Sequence, residues 1–86
     1  MAHVKMYATQ WCGYCAAARE LLRSKAVEFD EIDTDTDPAL RKEMTAKSGG
    51  TTVPQIFIND KPIGGYTDMA ALEQSGELDR LLSEEA

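Results

Sequence analysis

The hydrophobic period of this chain changes abruptly between residues 8 and 13, and two cysteines sit on the change. Before it, His3 to Ala8 carries Val4, Met6 and Tyr7, the pattern of a short, largely buried strand. After it, Tyr14, Ala17, Ala18, Leu21 and Leu22 recur at helical spacing, which predicts a helix from Gly13 to Ser24 with one face laid on a sheet. Cys12 and Cys15 therefore stand at a helix start reached directly from a strand. The unpaired N–H groups of a first helical turn favour negative charge, so a thiol there ionises more readily. The second thiol, one turn deeper, lies within reach of the first. This spacing at this junction is where a redox-active dithiol is built.

The rest of the chain alternates in the same way with short connections. Val27 and Phe29 alternate with Glu28 and Asp30 in a second strand, and Ile32 breaks that phase, which predicts a strand end or bulge. Asp37-Pro38 is a helix start: the aspartate caps free N–H groups and the proline takes the first helical position, where its missing N–H costs nothing. Leu40 and Met44 share a face until Gly49-Gly50 stops the helix. Val53 to Asn59 is apolar on both faces and reads as an interior strand. Asn59-Asp60 turns the chain into a short strand through Pro62 and Ile63. Thr67 is expected to cap a helix running through Gln74 to Gly76, and Leu78, Leu81 and Leu82 form the stripe of a last short helix. The order implies an α/β fold with a mixed sheet, a right-handed crossover between its first two strands and helices on its faces.

Eighty-six residues make one domain, expected to span 1–86, with a modest core. Fifteen acidic against nine basic residues give a net charge of −6, which repels phosphate backbones and anionic lipid and argues against nucleic acid as a partner. No apolar run approaches the ~18 residues of a membrane span, and the first residues do not resemble a signal peptide, so the expected setting is cytoplasmic. Two cysteines are too few for a disulfide-stapled secreted domain. Against the redox reading stand a structural disulfide and half of a metal site. Zinc needs four ligands, and only His3, expected as an exposed strand-edge residue, could join the two thiolates.

Three segments in order carry a resemblance: Cys12-Gly13-Tyr14-Cys15, then Ser48-Gly49-Gly50-Thr51-Thr52-Val53-Pro54-Gln55-Ile56-Phe57-Ile58, then Gly64-Gly65-Tyr66-Thr67-Asp68. Together with the element order they resemble a glutaredoxin of the thioredoxin superfamily over nearly the whole chain. The resemblance implies a thioredoxin-like fold with a four-stranded mixed sheet flanked by helices. It implies a monomeric glutathione-dependent thiol-disulfide oxidoreductase, acting on glutathionylated or disulfide-containing proteins, with Cys12 as nucleophile and Cys15 as resolving thiol. Sequence alone favours a trans Val53-Pro54 bond with Pro54 merely starting a strand; the resemblance implies a cis bond facing the cysteines. It further implies that Thr52, Val53, Pro54, Gly65 and Thr67 contact glutathione, with Asp68 near its ammonium. Tyr14 packs either against the bound tripeptide or against the core.

Thr9 stands where many glutaredoxins have a lysine, three residues before the nucleophile, so Cys12 is expected to be less acidic than is usual in the family. Gly13 stands where many dithiol members have proline. Members with a small residue there include some that hold a [2Fe–2S] cluster between two subunits through the nucleophilic cysteine and glutathione, a minority reading for this chain. Trp11 departs from common choices and is expected as a partly exposed wall of the site. Two rivals remain open: a reductase fed by a flavoprotein, and a cluster carrier with little turnover.

Overall fold

The computed structural model describes residues 2–84. Its elements are β1 (Val4–Ala8), α1 (Gly13–Ser24), β2 (Phe29–Asp33), α2 (Pro38–Ser48), β3 (Gln55–Ile58), β4 (Lys61–Gly64), α3 (Tyr66–Ser75) and α4 (Glu77–Ser83). The strands form one sheet in the order β2-β1-β3-β4. β1 pairs parallel with β2 across α1, and β3 runs antiparallel to both β1 and β4.

Alternation along β1 divides the interior in two. Val4, Met6 and Ala8 face one side with Ile56 and Ile58 of β3, where Cys15, Ala18 and Leu22 of α1, Met69 of α3, and Leu78 and Leu82 of α4 close the larger core. Tyr7 and Phe57 face the other side, meet edge-on with centroids 5.7 Å apart, and pack with Met44 of α2. The Tyr7 hydroxyl donates to the Glu43 carboxylate.

β2 departs from the sequence expectation. The strand starts at Phe29, Val27 lies buried ahead of it, and Ile32 is inside the ladder opposite Tyr7. No bulge occurs in this pairing. Phe29 packs on the larger core and Ile32 on the smaller one, so the phase break reflects a strand covered on both faces. The register shift of the sheet falls instead between β3 and β4, at Ile56/Phe57.

The other local signals hold. Asp37 accepts the Ala39 N–H at 2.9 Å with Pro38 at the first helical position, and Gly49 ends α2 in the left-handed region. Asn59 and Asp60 both take positive φ in the β3–β4 turn. α3 begins two residues earlier than expected. Gly65, not Thr67, occupies the cap, and the Asp68 carboxylate reaches back to accept the Gly65 N–H at 3.0 Å.

Candidate active site

Leaving β1, the chain makes a short turn and delivers Cys12 to the N-cap of α1 in extended backbone conformation (φ −123°, ψ 120°). From there the sulfur faces the first helical turn and accepts the Cys15 N–H at 3.3 Å. Cys12 is half-buried and Cys15 fully buried, and both are free thiols. Their environments push their acidities apart. Partial burial opposes ionisation of Cys12, but the Cys15 thiol, the backbone N–H groups of Cys15 and Tyr14, and the Arg19 charge outweigh it and hold the Cys12 pKa below the ordinary thiol value. Burial pushes Cys15 up to about 11, against a lowering contribution from the Thr9 backbone. Cys12 is therefore the more readily ionised sulfur, and its protonated neighbour donates to the thiolate when it forms.

Across from the dithiol, the Val53-Pro54 bond is cis, as the resemblance implied. The Val53 carbonyl oxygen lies 3.8 Å from the Cys12 sulfur. A cleft of about 390 Å³ opens beside it, lined by Tyr14, Thr52, Val53, Pro54, Gly65, Tyr66 and Thr67. The structure thus gathers residues from α1, the α2–β3 connection and the start of α3 into one groove. Tyr14 is exposed rather than in the core, with its ring 6.3 Å from that of Tyr66. A Cβ at Gly65 would stand 3.5 Å from the Pro54 carbonyl oxygen, an ordinary van der Waals contact.

Asp68 does not line the cleft. One oxygen of its carboxylate accepts the Gly65 N–H, and the side chain is exposed. Trp11 is not a wall of the site either: it is 92% exposed in the turn before α1, outside the cleft. His3 lies exposed ahead of β1, an interior strand, and meets Asp30 at 3.0 Å rather than any sulfur.

Tyr66, quoted in the third motif but not singled out as a contact, lines the groove, and two further contributors escape the sequence reading. Arg41 on α2 donates to the Thr51 carbonyl oxygen at 3.2 Å, bringing a guanidinium to the edge that leads into Thr52 and Val53. Arg19, one turn beyond Cys15 on α1, acts on both thiols. Helical spacing from the cysteines places Arg19 on their face, but its partners lie elsewhere in the sequence.

A [2Fe–2S] cluster requires four sulfur ligands or close equivalents. Cys12 offers one accessible sulfur, Cys15 is buried, and no group of three or more potential metal ligands occurs among the described residues. The chain alone does not fit such a cluster.

The model of the glutaredoxin family matches residues 4–63. A glutaredoxin of Pseudomonas aeruginosa is 51% identical over 83 residues, covering 96% of this chain and 99% of the relative. This chain belongs to the glutaredoxin family. Glutaredoxin 3 of Escherichia coli is 50% identical, with 95% of this chain and 99% of the relative covered. Among solved structures, the glutaredoxin of Brucella melitensis is similar with a TM-score of 0.84 and 49% identity, covering 95% of this chain and 89% of that one. The buckwheat glutaredoxin–glutathione complex matches with a TM-score of 0.89 and 25% identity, covering 95% of this chain and 77% of that one. The fold is thioredoxin-like, and the family makes this glutaredoxin a thiol-disulfide oxidoreductase.

Proposed function

We propose that the chain is a glutathione-dependent oxidoreductase that reduces glutathione mixed disulfides and protein disulfides through Cys12 and Cys15. The observation that carries this reading is the Cys12 sulfur at the helix cap, half-exposed, 3.8 Å from the Val53 carbonyl oxygen at the mouth of the groove. The Val53 backbone edge suits antiparallel pairing with the cysteinyl unit of glutathione. The first turn of α3, at Tyr66 and Thr67, offers N–H donors to the γ-glutamyl carboxylate, with the exposed Asp68 carboxylate nearby for its ammonium. Arg41 leaves its charge beside the other end of the same edge, suited to the second carboxylate. The buckwheat glutaredoxin–glutathione complex supports the ligand.

In the reaction, the Cys12 thiolate attacks the glutathione sulfur of a glutathionylated protein. The protein thiolate leaves and takes up a proton, and Cys12 is joined to glutathione. A second glutathione, as thiolate, attacks the glutathione sulfur of that bond, giving glutathione disulfide and restoring Cys12. With a protein disulfide, Cys15 loses its proton as it attacks the Cys12 sulfur of the mixed disulfide, releasing the reduced protein and leaving a Cys12–Cys15 bond for glutathione to reduce. Family potentials near −200 to −230 mV lie close to the extracted glutathione poise, so the direction follows the glutathione pool. The same reading has a monomer working in the reducing cytoplasm. A cluster shared between two copies would need every sulfur but Cys12 of each from outside the chain. Protein purified with iron and glutathione is expected to stay colourless.

The test is glutathione-dependent reduction of a small mixed disulfide. Wild type is expected to be active, Cys12→Ser inactive, and Cys15→Ser active on the mixed disulfide but not on a protein disulfide. Loss of both activities in Cys15→Ser would overturn the assigned roles. Activity with a flavoprotein reductase and none with glutathione would favour the rival reductase.

A further inference from the structure

Arg19 follows Cys15 by four residues and Cys12 by seven, so its side chain emerges on the dithiol's face of α1. Two segments hold its guanidinium. Nη2 donates to the Thr9 carbonyl oxygen at 3.0 Å, in the segment that carries the chain from β1 to Cys12. Nε and Nη2 each reach a Glu31 carboxylate oxygen on β2 at 2.7 Å, a two-point clamp. Only 15% of the Arg19 side chain is exposed, so the charge is fixed in place and poorly screened. Thr9, which lacks the cationic side chain of many relatives, is the residue whose backbone Arg19 binds.

We propose that Arg19 is the positioning residue of this site: it ties the Thr9–Cys12 segment to α1 and β2 and holds a positive charge behind the two sulfurs, with Glu31 setting how much of that charge they feel. This rests on the exchange role of Cys12 proposed above. Support comes from the electrostatics, in which Arg19 lowers both thiols and Glu31 is its own principal partner. The charge also biases the redox couple. With Cys12 ionised, reduced protein carries a Cys12 thiolate and a Cys15 thiol. When they close to a disulfide, the electron pair and the Cys15 proton pass to the substrate disulfide, which leaves as one thiol and one thiolate. The negative charge facing Arg19 is then gone, so Arg19 favours the reduced form.

A brace and a charge make different predictions. Breaking a brace from either end disturbs the site in the same direction, whereas removing the cation or its neutralising partner shifts the thiolate in opposite directions. The experiment is a pH titration of thiolate absorbance on the reduced full chain, with redox equilibration against glutathione buffers. Arg19→Met is expected to lower the Cys12 acidity constant about threefold, the order expected of one unit charge a turn or two away. Its couple then becomes about 14 mV more reducing, from ~30 mV per tenfold change. Glu31→Gln is expected to raise the acidity constant about threefold, and Arg19→Lys to stay within about twofold of wild type. Arg19→Met and Glu31→Gln moving the same way, neither moving, or Arg19→Lys behaving like Arg19→Met would each overturn the proposal. Should Arg19→Met not fold, Glu31→Gln decides alone: an unchanged or lowered acidity constant overturns it. The titration needs no glutathione, so its failure is distinguishable from failure of the glutathione assay with Cys12→Ser.

Discussion

Gly64→Ala is expected to damage this protein far more than Gly49→Ala, although both glycines have positive φ. Gly49 (φ +78°) ends α2 with nothing within 4 Å of where a Cβ would be. Its substitution therefore costs only backbone strain, about 1 to 2 kcal/mol, offset by roughly 0.4 to 1 kcal/mol from the stiffer unfolded chain. Gly64 (φ +111°) lies further from the left-handed region that L residues tolerate and carries at least that strain, and its Cβ would fall on the Asp68 carboxylate, 2.8 Å from Cγ and 3.1 Å from Cβ. Asp68 must then swing away and release the Gly65 N–H that it accepts at 3.0 Å, losing a further ~1 kcal/mol or more. We expect about 1 kcal/mol or less for Gly49→Ala and about 2 to 3 kcal/mol for Gly64→Ala. For a domain of this size that is roughly 10 to 20 °C in melting temperature for the latter. Thermal melts followed by circular dichroism read the difference. The KM for a glutathione mixed disulfide is expected to rise in Gly64→Ala, because the start of α3 borders the groove. Melting temperatures within about 2 °C of each other would refute the idea that the Gly64–Asp68 contact shapes this end of the site.

The remaining expectations concern the dithiol and alkaline pH. Gly13→Pro is expected to stabilise by about 0.5 to 1 kcal/mol: Gly13 is the first residue of α1, a Cβ there meets nothing within 4 Å, and Cys12 already has the backbone conformation that precedes proline. A lower urea midpoint would contradict that. Thr9→Lys is expected to lower the Cys12 pKa by adding a second cation near the sulfur, and an unchanged thiolate titration removes the argument. Cys15 and Tyr7 are pushed up, to about 11 and about 12, chiefly by burial. The folded state thus keeps protons that the unfolded chain loses, and stability present below about pH 9 should fall as pH rises towards 12. Cys12, lowered instead, contributes in the opposite sense, with stability present above the unfolded thiol value and lost as pH falls through its folded pKa. Urea midpoints equal at pH 8 and pH 11 would contradict the net alkaline loss.

The sequence was most legible where a residue's local chemistry decides its backbone. The Asp37-Pro38 start, the Gly49 and Gly76 stops and the Asn59-Asp60 turn all follow from caps, prolines and residues that tolerate positive φ, and the bounds of α1 from helical spacing on one face. It was less legible where tertiary packing decides. Ile32 looked out of phase because periodicity assumes one buried face, whereas β2 serves two cores. Thr67 looked like a cap, but the Asp68 carboxylate can satisfy the free N–H of a glycine, which moves the helix start to Gly65. Cys12, Cys15 and the Val53-Pro54 peptide were legible through motif order, and six of the seven groove residues had been named. Arg19 was not, because its partners Thr9 and Glu31 lie 10 and 12 residues away and only the fold brings them together.

The central claim is that one sulfur is ionised and accessible while its neighbour is protonated and buried. Mass-resolved alkylation of the reduced protein, followed from pH 5 to pH 10, reads both sulfurs at once. The account predicts modification of Cys12 with a midpoint below that of an ordinary thiol, ~8.5, and no modification of Cys15 across the range while the fold persists. Equal modification of both cysteines with one midpoint near the ordinary value, or Cys15 reacting first, would contradict it.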